Sequence, residues 1–190
     1  MNVIETQLPG VLLLEPDVFS DERGFFLETW NKKRHEDAGV QGPFVQDNVA
    51  FSQKGILRGL HFQHPHAQGK LVQVLSGEVV DVAVDIRVGS PTFGRWVGEV
   101  LSGTNHRQMY MPPGFAHGYC VTSETALFSY KCTDFYNPAA EHGILWNDPD
   151  LGIAWPVEAP LLSPRDAGYA RLKDLPPETL PHFESSDDSA

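Results

Sequence analysis

The run Lys70-Leu71-Val72-Gln73-Val74-Leu75-Ser76-Gly77-Glu78-Val79-Val80-Asp81-Val82-Ala83-Val84-Asp85-Ile86-Arg87 decides the fold class. It divides at Ser76-Gly77 into two arms rich in β-branched residues, the pattern of a β-hairpin. In the second arm Val80, Val82, Val84 and Ile86 share one face, and Asp81, Ala83 and Asp85 share the other. Working outward, further extended runs are read at 3–8, 11–14, 25–30, 44–52, 56–63, 93–101, 106–111, 117–122 and 125–136. Glycine and proline punctuate them, as at Pro112-Pro113-Gly114. Many short strands at close spacing predict an all-β sandwich or barrel. Only short helices are expected at its periphery. One is capped by Asn31 and stops at Gly39; another opens at Ser163-Pro164-Arg165-Asp166, with serine as N-cap and proline at the first position.

One domain is expected over residues 1–175, followed by an acidic, disordered tail over 176–190 rich in Pro, Ser, Asp and Glu. Residues 144–156 read as an irregular loop packed on the barrel. The net charge of −11 argues against nucleic acid or an anionic membrane as partner, yet leaves room for a small anionic ligand held by a local cluster such as Arg23, Arg58 and Lys70. No apolar run approaches the ~20 residues of a membrane span, and the first residues do not read as a signal peptide. Cys120 and Cys132 lie in apolar segments and read as reduced thiols of a cytoplasmic protein.

The polar residues crowd into Arg58-Gly59-Leu60-His61-Phe62-Gln63, with His64, His66 and Lys70 close behind. His64-Pro65-His66, Lys70 and Gly77, with Pro112-x-Gly114-x-x-His117 downstream, resemble the two-part pattern of the cupin barrels. In those barrels the position of Lys70 is a metal-ligating glutamate. A protonated ammonium repels a metal ion, so the pattern supports the barrel and argues against a metal. A metal-free barrel can still move protons. His61 could serve as a base, Lys70 could stabilise an enolate, and Tyr130 could deliver a proton to the opposite face. Plainer readings stand beside these: a packed histidine, a strand-edge lysine, a core tyrosine, Asp166 as a helix-capping acid, Arg23 and Glu28 as a surface pair. Read from the residues alone, the chain is a barrel with a polar interior site, and acid–base chemistry is one of its possible uses.

Longer motifs carry a more specific resemblance. They are Phe19-Ser20-Asp21-Glu22-Arg23-Gly24-Phe25-Phe26, Gln46-Asp47-Asn48, Arg58 through Val72, Gly77 through Val82, Pro112 through Gly118, Tyr130-Lys131-Cys132-Thr133-Asp134-Phe135-Tyr136 and Trp146-Asn147-Asp148-Pro149. In this order, across about residues 3 to 175, the chain resembles the dTDP-4-dehydrorhamnose 3,5-epimerases of dTDP-L-rhamnose synthesis. The resemblance implies a cupin-type jelly roll, a homodimer, no cofactor, and dTDP-4-dehydro-6-deoxy-D-glucose as substrate. It implies His61 as proton acceptor, Asp166 as the group that orients it, Tyr130 as proton donor and Lys70 beside the ketone. Arg23 and Arg58 fit diphosphate contacts. Glu28, Gln46, Asp47 and Asn48 match nucleotide-contacting positions, and His117, Glu141 and Arg165 match other substrate contacts. Phe25, Phe26 or Tyr136 would stack on thymine.

Two positions depart from many relatives: Gln73 stands where arginine is common, and Arg165 where lysine is. Both are read as touching substrate-binding detail. Arg58 and His61 also differ in parity along their strand, so either the strand bulges at Gly59 or Arg58 serves another part of the site, in its own or a partner subunit. Single-carbon epimerases, acting at C3 or C5 only, share these motifs. A 3,4-ketoisomerase and a non-catalytic sugar- or metal-binding cupin are the remaining alternatives.

Overall fold

Residues 1–183 are described by the structure, a computed structural model. The chain order is β1 (Asn2–Glu5), β2 (Leu12–Glu15), β3 (Val18–Asp21), β4 (Gly24–Leu27), α1 (Lys32–Asp37), β5 (Gln46–Gln53), β6 (Leu57–Gln63), β7 (Lys70–Ser76) and β8 (Glu78–Asp85). There follow β9 (Trp96–Ser102), β10 (Gln108–Met111), β11 (Phe115–Val121), β12 (Thr125–Cys132), β13 (Glu141–Gly143) and α2 (Pro164–Ala167). Two antiparallel sheets form a cupin-type jelly roll, ordered β1-β2-β10-β7-β12-β5 and β13-β6-β11-β8-β9. The β3–β4 hairpin stands apart as a two-stranded ribbon.

The main core fills the space between the sheets. Leu13, Val72, Val74, Met109 and Phe128 come from one sheet, and Val79, Ala83, Leu101, Tyr119 and Val121 from the other. The 70–87 run forms two strands, as its alternation predicts, but they do not pair as a hairpin: β7 joins the six-stranded sheet between β10 and β12, and β8 joins the five-stranded sheet between β11 and β9, so the chain crosses from one sheet to the other at Ser76-Gly77. The apolar residues of both arms are better buried facing each other across the core than side by side in one sheet, and β8 is buried on both faces. Its more apolar face, Val82, Val84 and Ile86, turns outward and is covered by Ile144, Leu151, Leu172 and Leu180. The face carrying Asp81 and Ala83 therefore looks into the barrel.

The disordered tail expected from Pro176 does not hold for residues 176–183. Pro177–Thr179 form a 3-10 turn, Leu180 is buried, and the Phe183 N–H donates to the Val88 carbonyl at 2.9 Å. The apolar residues Leu175 and Leu180 have barrel surface to cover, which outweighs the polar composition around them. Residues 184–190 lie outside the described residues.

The parity question at Gly59 resolves into a bulge. His117 of β11 pairs with His61 of β6, whereas Tyr119 pairs with Arg58, so β6 carries one extra residue over this interval. The surplus residue brings Arg58 and His61 to the same side. Gly59 permits it: its φ is +130°, and a Cβ there would lie 2.5 Å from Gly118 Cα. Gly59→Ala is therefore expected to destabilise the fold by about 1–3 kcal/mol. Urea denaturation midpoints of the two proteins measure this, and an unchanged midpoint counts against the tight β6–β11 contact.

Candidate active site

A cavity of about 330 Å³ lies between the two sheets, within the range of small-ligand sites. The five-stranded sheet supplies His61 and Glu141 from β6 and β13. From the six-stranded sheet come Lys70 of β7, Tyr130 of β12, and Gln46 and Asn48 of β5. Alternation along β12 aims Tyr130 and Cys132 inward together, and along β5 does the same for Gln46 and Asn48. Tyr136, just beyond β12, completes the wall.

His61 is held by the helix opening read from the sequence. Ser163 caps α2, its Oγ accepting from the Asp166 N–H at 3.0 Å. The Asp166 carboxylate does not return to the cap. It turns to His61, with Nε2 and Oδ1 2.7 Å apart. With Nε2–H donating to Asp166, Nδ1 keeps its lone pair. Burial pushes the Asp166 carboxyl up, but the hydrogen bond and charge of His61 and the Ser163 contact more than offset this and leave it below its ordinary value.

The opposite wall carries Tyr130 and Lys70. Burial pushes the Tyr130 phenol up to about 12, with the neighbouring Cys132 and Tyr119 adding to the effect, so it stays protonated at neutral pH. Burial also pulls the Lys70 ammonium below its ordinary value, while Cys132, Asp81 and Glu141 act to raise it. Glu141 accepts from Tyr136 Oη at 2.6 Å and pairs with Arg165 at 2.7 Å, which ties three of the expected substrate contacts into one cluster.

A second cavity, of about 370 Å³, adjoins the first through their shared His61 and Glu141, and Arg58, Arg165 and Asp166 line it. Arg58 Nε donates to Ser52 Oγ at 3.1 Å. His117 lies behind the pocket rather than on its wall, 7% exposed, with Nε2 2.9 Å from Asp81 Oδ2. Asp47 points to the outer face and pairs with Lys131. Gln73 also faces outward. It accepts from Gln108, which bonds in turn to His35, so the departure at this position touches the outer face and not the pocket.

The hairpin residues Arg23, Phe25, Phe26 and Glu28 are not brought to either cavity within this chain. Arg23 is exposed and pairs with Asp21, the Phe25 ring lies 4.6 Å from that of His106, and Phe26 is 70% exposed. Glu28 takes up Arg34 and Asn31. Conversely, Gln63, Gln68 and Cys132 line the pocket without having been singled out as site residues. For Cys132 a signal existed, its alternation with Tyr130. Among the described residues no group of three His, Cys, Asp or Glu side chains is arranged to hold a metal ion.

Residues 5–174 match the family described as dTDP-4-dehydrorhamnose 3,5-epimerase. The chain belongs to this family. A dTDP-4-dehydrorhamnose 3,5-epimerase of Shigella flexneri is 56% identical over 176 residues, 92% of this chain and 97% of that protein. The structure is similar to that of the dTDP-6-deoxy-D-glucose-3,5-epimerase of Legionella pneumophila in complex with dTDP-4-keto-L-rhamnose. The TM-score is 0.95 at 53% identity, over 97% of this chain and 99% of that one. A dTDP-4-dehydrorhamnose 3-epimerase of Streptomyces niveus is 42% identical over 84% of this chain and 78% of its own length. Within the epimerase family the jelly roll and the nucleotide-sugar chemistry read from the sequence are therefore secure.

The Asp166–His61 pair makes a prediction about acid. A carboxyl depressed by folding adds stability that is present above its unfolded pKa and is lost as pH falls through its folded pKa. The stability difference between wild type and Asp166→Asn should thus be full near neutral pH and shrink once the pH drops below about 4. Urea midpoints across a pH series measure it; a difference that stays constant in acid shows that the pair does not carry the shift.

Proposed function

We propose that this chain inverts C3 and C5 of dTDP-4-dehydro-6-deoxy-D-glucose to give dTDP-4-dehydro-L-rhamnose, by stepwise deprotonation and reprotonation. The observation that carries the reading is the placement of base and acid on opposite sheets. The His61–Asp166 pair comes from one side of the cavity, and Tyr130 with Lys70 from the other. His61 Nδ1 takes a proton from a carbon next to the C4 ketone. The C–H electron pair moves into the ring and the C4–O bond becomes an enolate, which the Lys70 ammonium stabilises. Tyr130 then delivers its phenolic proton to the other face of that carbon. The configuration is inverted, His61 releases its proton to solvent, and Tyr130 regains one. The same cycle at the second carbon completes the reaction with no net change in the enzyme.

Arg58 and Arg165 are assigned to the diphosphate and adjacent substrate groups, Gln46 and Asn48 to the nucleotide, and Tyr136 to stacking on thymine. We assign the protein to the cytoplasm, consistent with its two free, buried cysteines. We also infer a homodimer in which the β3–β4 hairpin reaches the partner's cavity. Its exposed Phe19, Phe25 and Phe26 favour burial against a second copy, and Arg23, Phe25, Phe26 and Glu28 are among the expected contacts that the chain's own cavity lacks.

Incubation with the substrate in deuterated water, followed by NMR, tests the reaction. Deuterium should enter at both C3 and C5; entry at one carbon selects the single-carbon reading, and entry at neither excludes an epimerase. His61→Ala should lower exchange by about 10²- to 10⁴-fold. Tyr130→Phe should slow product formation more than the first exchange, and equal slowing of both removes Tyr130 from the donor role. The homodimer predicts complementation: Arg23→Ala and His61→Ala proteins, each impaired alone, should regain activity when mixed under conditions of subunit exchange. Recovery fails if Arg23 serves its own chain's site or none.

A further inference from the structure

Arg58 reaches its cavity from a buried frame of two hydroxyls, neither of which lines that cavity. Its Nε–H donates to Ser52 Oγ at 3.1 Å, and Ser52 Oγ lies 3.4 Å from Tyr119 Oη. Ser52 is 2% exposed and Tyr119 4%. The proposed reaction uses neither hydroxyl. Burial makes an unpartnered hydroxyl costly, so the two groups and Arg58 hold one another.

The three side chains come from three strands and from both sheets. Ser52 continues the inward face of β5, in line with Gln46 and Asn48 of the first cavity. Arg58 and Tyr119 stand directly opposite each other on β6 and β11. Stacking on Phe128, with centroids 4.2 Å apart and planes 14° apart, fixes the Tyr119 ring.

A guanidinium offers five N–H donors in one rigid plane. With Nε–H committed to Ser52, that plane is held in one orientation and the two terminal nitrogens are left over. Among the described residues those nitrogens meet no acceptor within hydrogen-bond distance. Arg58 lines the cavity of about 370 Å³ together with Arg165. Two guanidinium groups around one cavity suit the paired anionic groups of a diphosphate, which terminal N–H groups can meet end-on.

We infer that Ser52 is a positioning residue for recognition of the substrate's diphosphate: its hydroxyl, anchored across the two sheets by Tyr119, orients the Arg58 guanidinium so that the terminal nitrogens are presented to the anion. The inference rests on the assignment of Arg58 to the diphosphate in the proposed function. Ser52 itself does not touch the substrate.

Calorimetric titration with dTDP and with thymidine separates the diphosphate contacts from the rest of the pocket. Ser52→Ala should bind dTDP about tenfold more weakly than wild type and thymidine equally well. In turnover the loss should fall on KM more than on kcat. Arg58→Ala should also lose dTDP affinity, and on that background Ser52→Ala should cost nothing further, because the group it orients is gone. Tyr119→Phe should weaken dTDP binding in the same direction by a smaller factor, and wild-type affinity in this variant removes Tyr119 from the frame. Unchanged dTDP affinity in Ser52→Ala overturns the inference, as does an equal loss for dTDP and thymidine. A loss that adds in full to that of Arg58→Ala overturns it too, since Ser52 would then act independently of Arg58. If wild type binds dTDP no more tightly than thymidine, the assignment of Arg58 fails and the inference with it. Failure of the proposed reaction reads separately, as a wild type that takes up deuterium at neither C3 nor C5.

Discussion

Two backbones meet at Gly59 and Gly118 more closely than side chains would allow, and the active cavity follows from that approach. The extra residue that β6 carries there sets Arg58 and His61 on one side and places His61 opposite His117. Only from this position can α2 reach it. The return of the chain to α2 is fastened near the same strand: Leu60 and Ile144 exchange backbone hydrogen bonds, Asp148 accepts from the Leu172 N–H at 2.8 Å, and Gly143 packs against the Tyr169 ring. The irregular segment 144–175 thus works as an anchored arm that delivers Asp166 to His61.

Electrostatics in the cavity run against the charge of the whole. The chain is strongly acidic, yet Lys70, Arg58 and Arg165 gather where a negatively charged ligand would lie. Local pairing makes this tolerable. Glu141 is matched by Arg165, Asp166 by His61, and Asp47 is turned away to Lys131 on the outer face. Among the described residues, only Arg165 of the three meets an acid at contact distance, and Arg58 is held by the Ser52 hydroxyl instead. An enclosed site of this kind favours substrates that bring their own negative charge.

Much of this was legible in the sequence. The two strands of the 70–87 run, the Asn31 cap and the Ser163 helix opening all rest on local patterns, and local patterns survive folding; that the two strands enter different sheets instead of pairing as a hairpin depends on their partners elsewhere in the chain. The Arg58–His61 relation was legible only as a conflict of parity, because a bulge is settled by the partner strand and not by the strand that carries it. Asp81 looked like the polar side of an amphipathic arm. It is interior because β8 is covered on both faces, a fact that depends on residues about sixty to a hundred positions further on. The tail misled for the same reason: its composition is that of a solvated segment, but Leu180 finds a barrel surface to cover. The hairpin contacts from Arg23 to Glu28 could be carried over by motif, whereas their distance from the cavity could be seen only in three dimensions.

His61 and Tyr130, the proposed base and acid, sit on different sheets, and this gives the hydrophobic core a second task. No covalent link or shared strand fixes the gap between His61 and Tyr130. That gap is the thickness of the filling between the sheets, where Tyr119 and Phe128 stack with ring centroids 4.2 Å apart and Tyr130 rests against them. The apolar packing therefore acts as a gauge block for the chemistry. A methylene added or removed there changes the span that a sugar ring must bridge, even with every polar group of the cavity left in place.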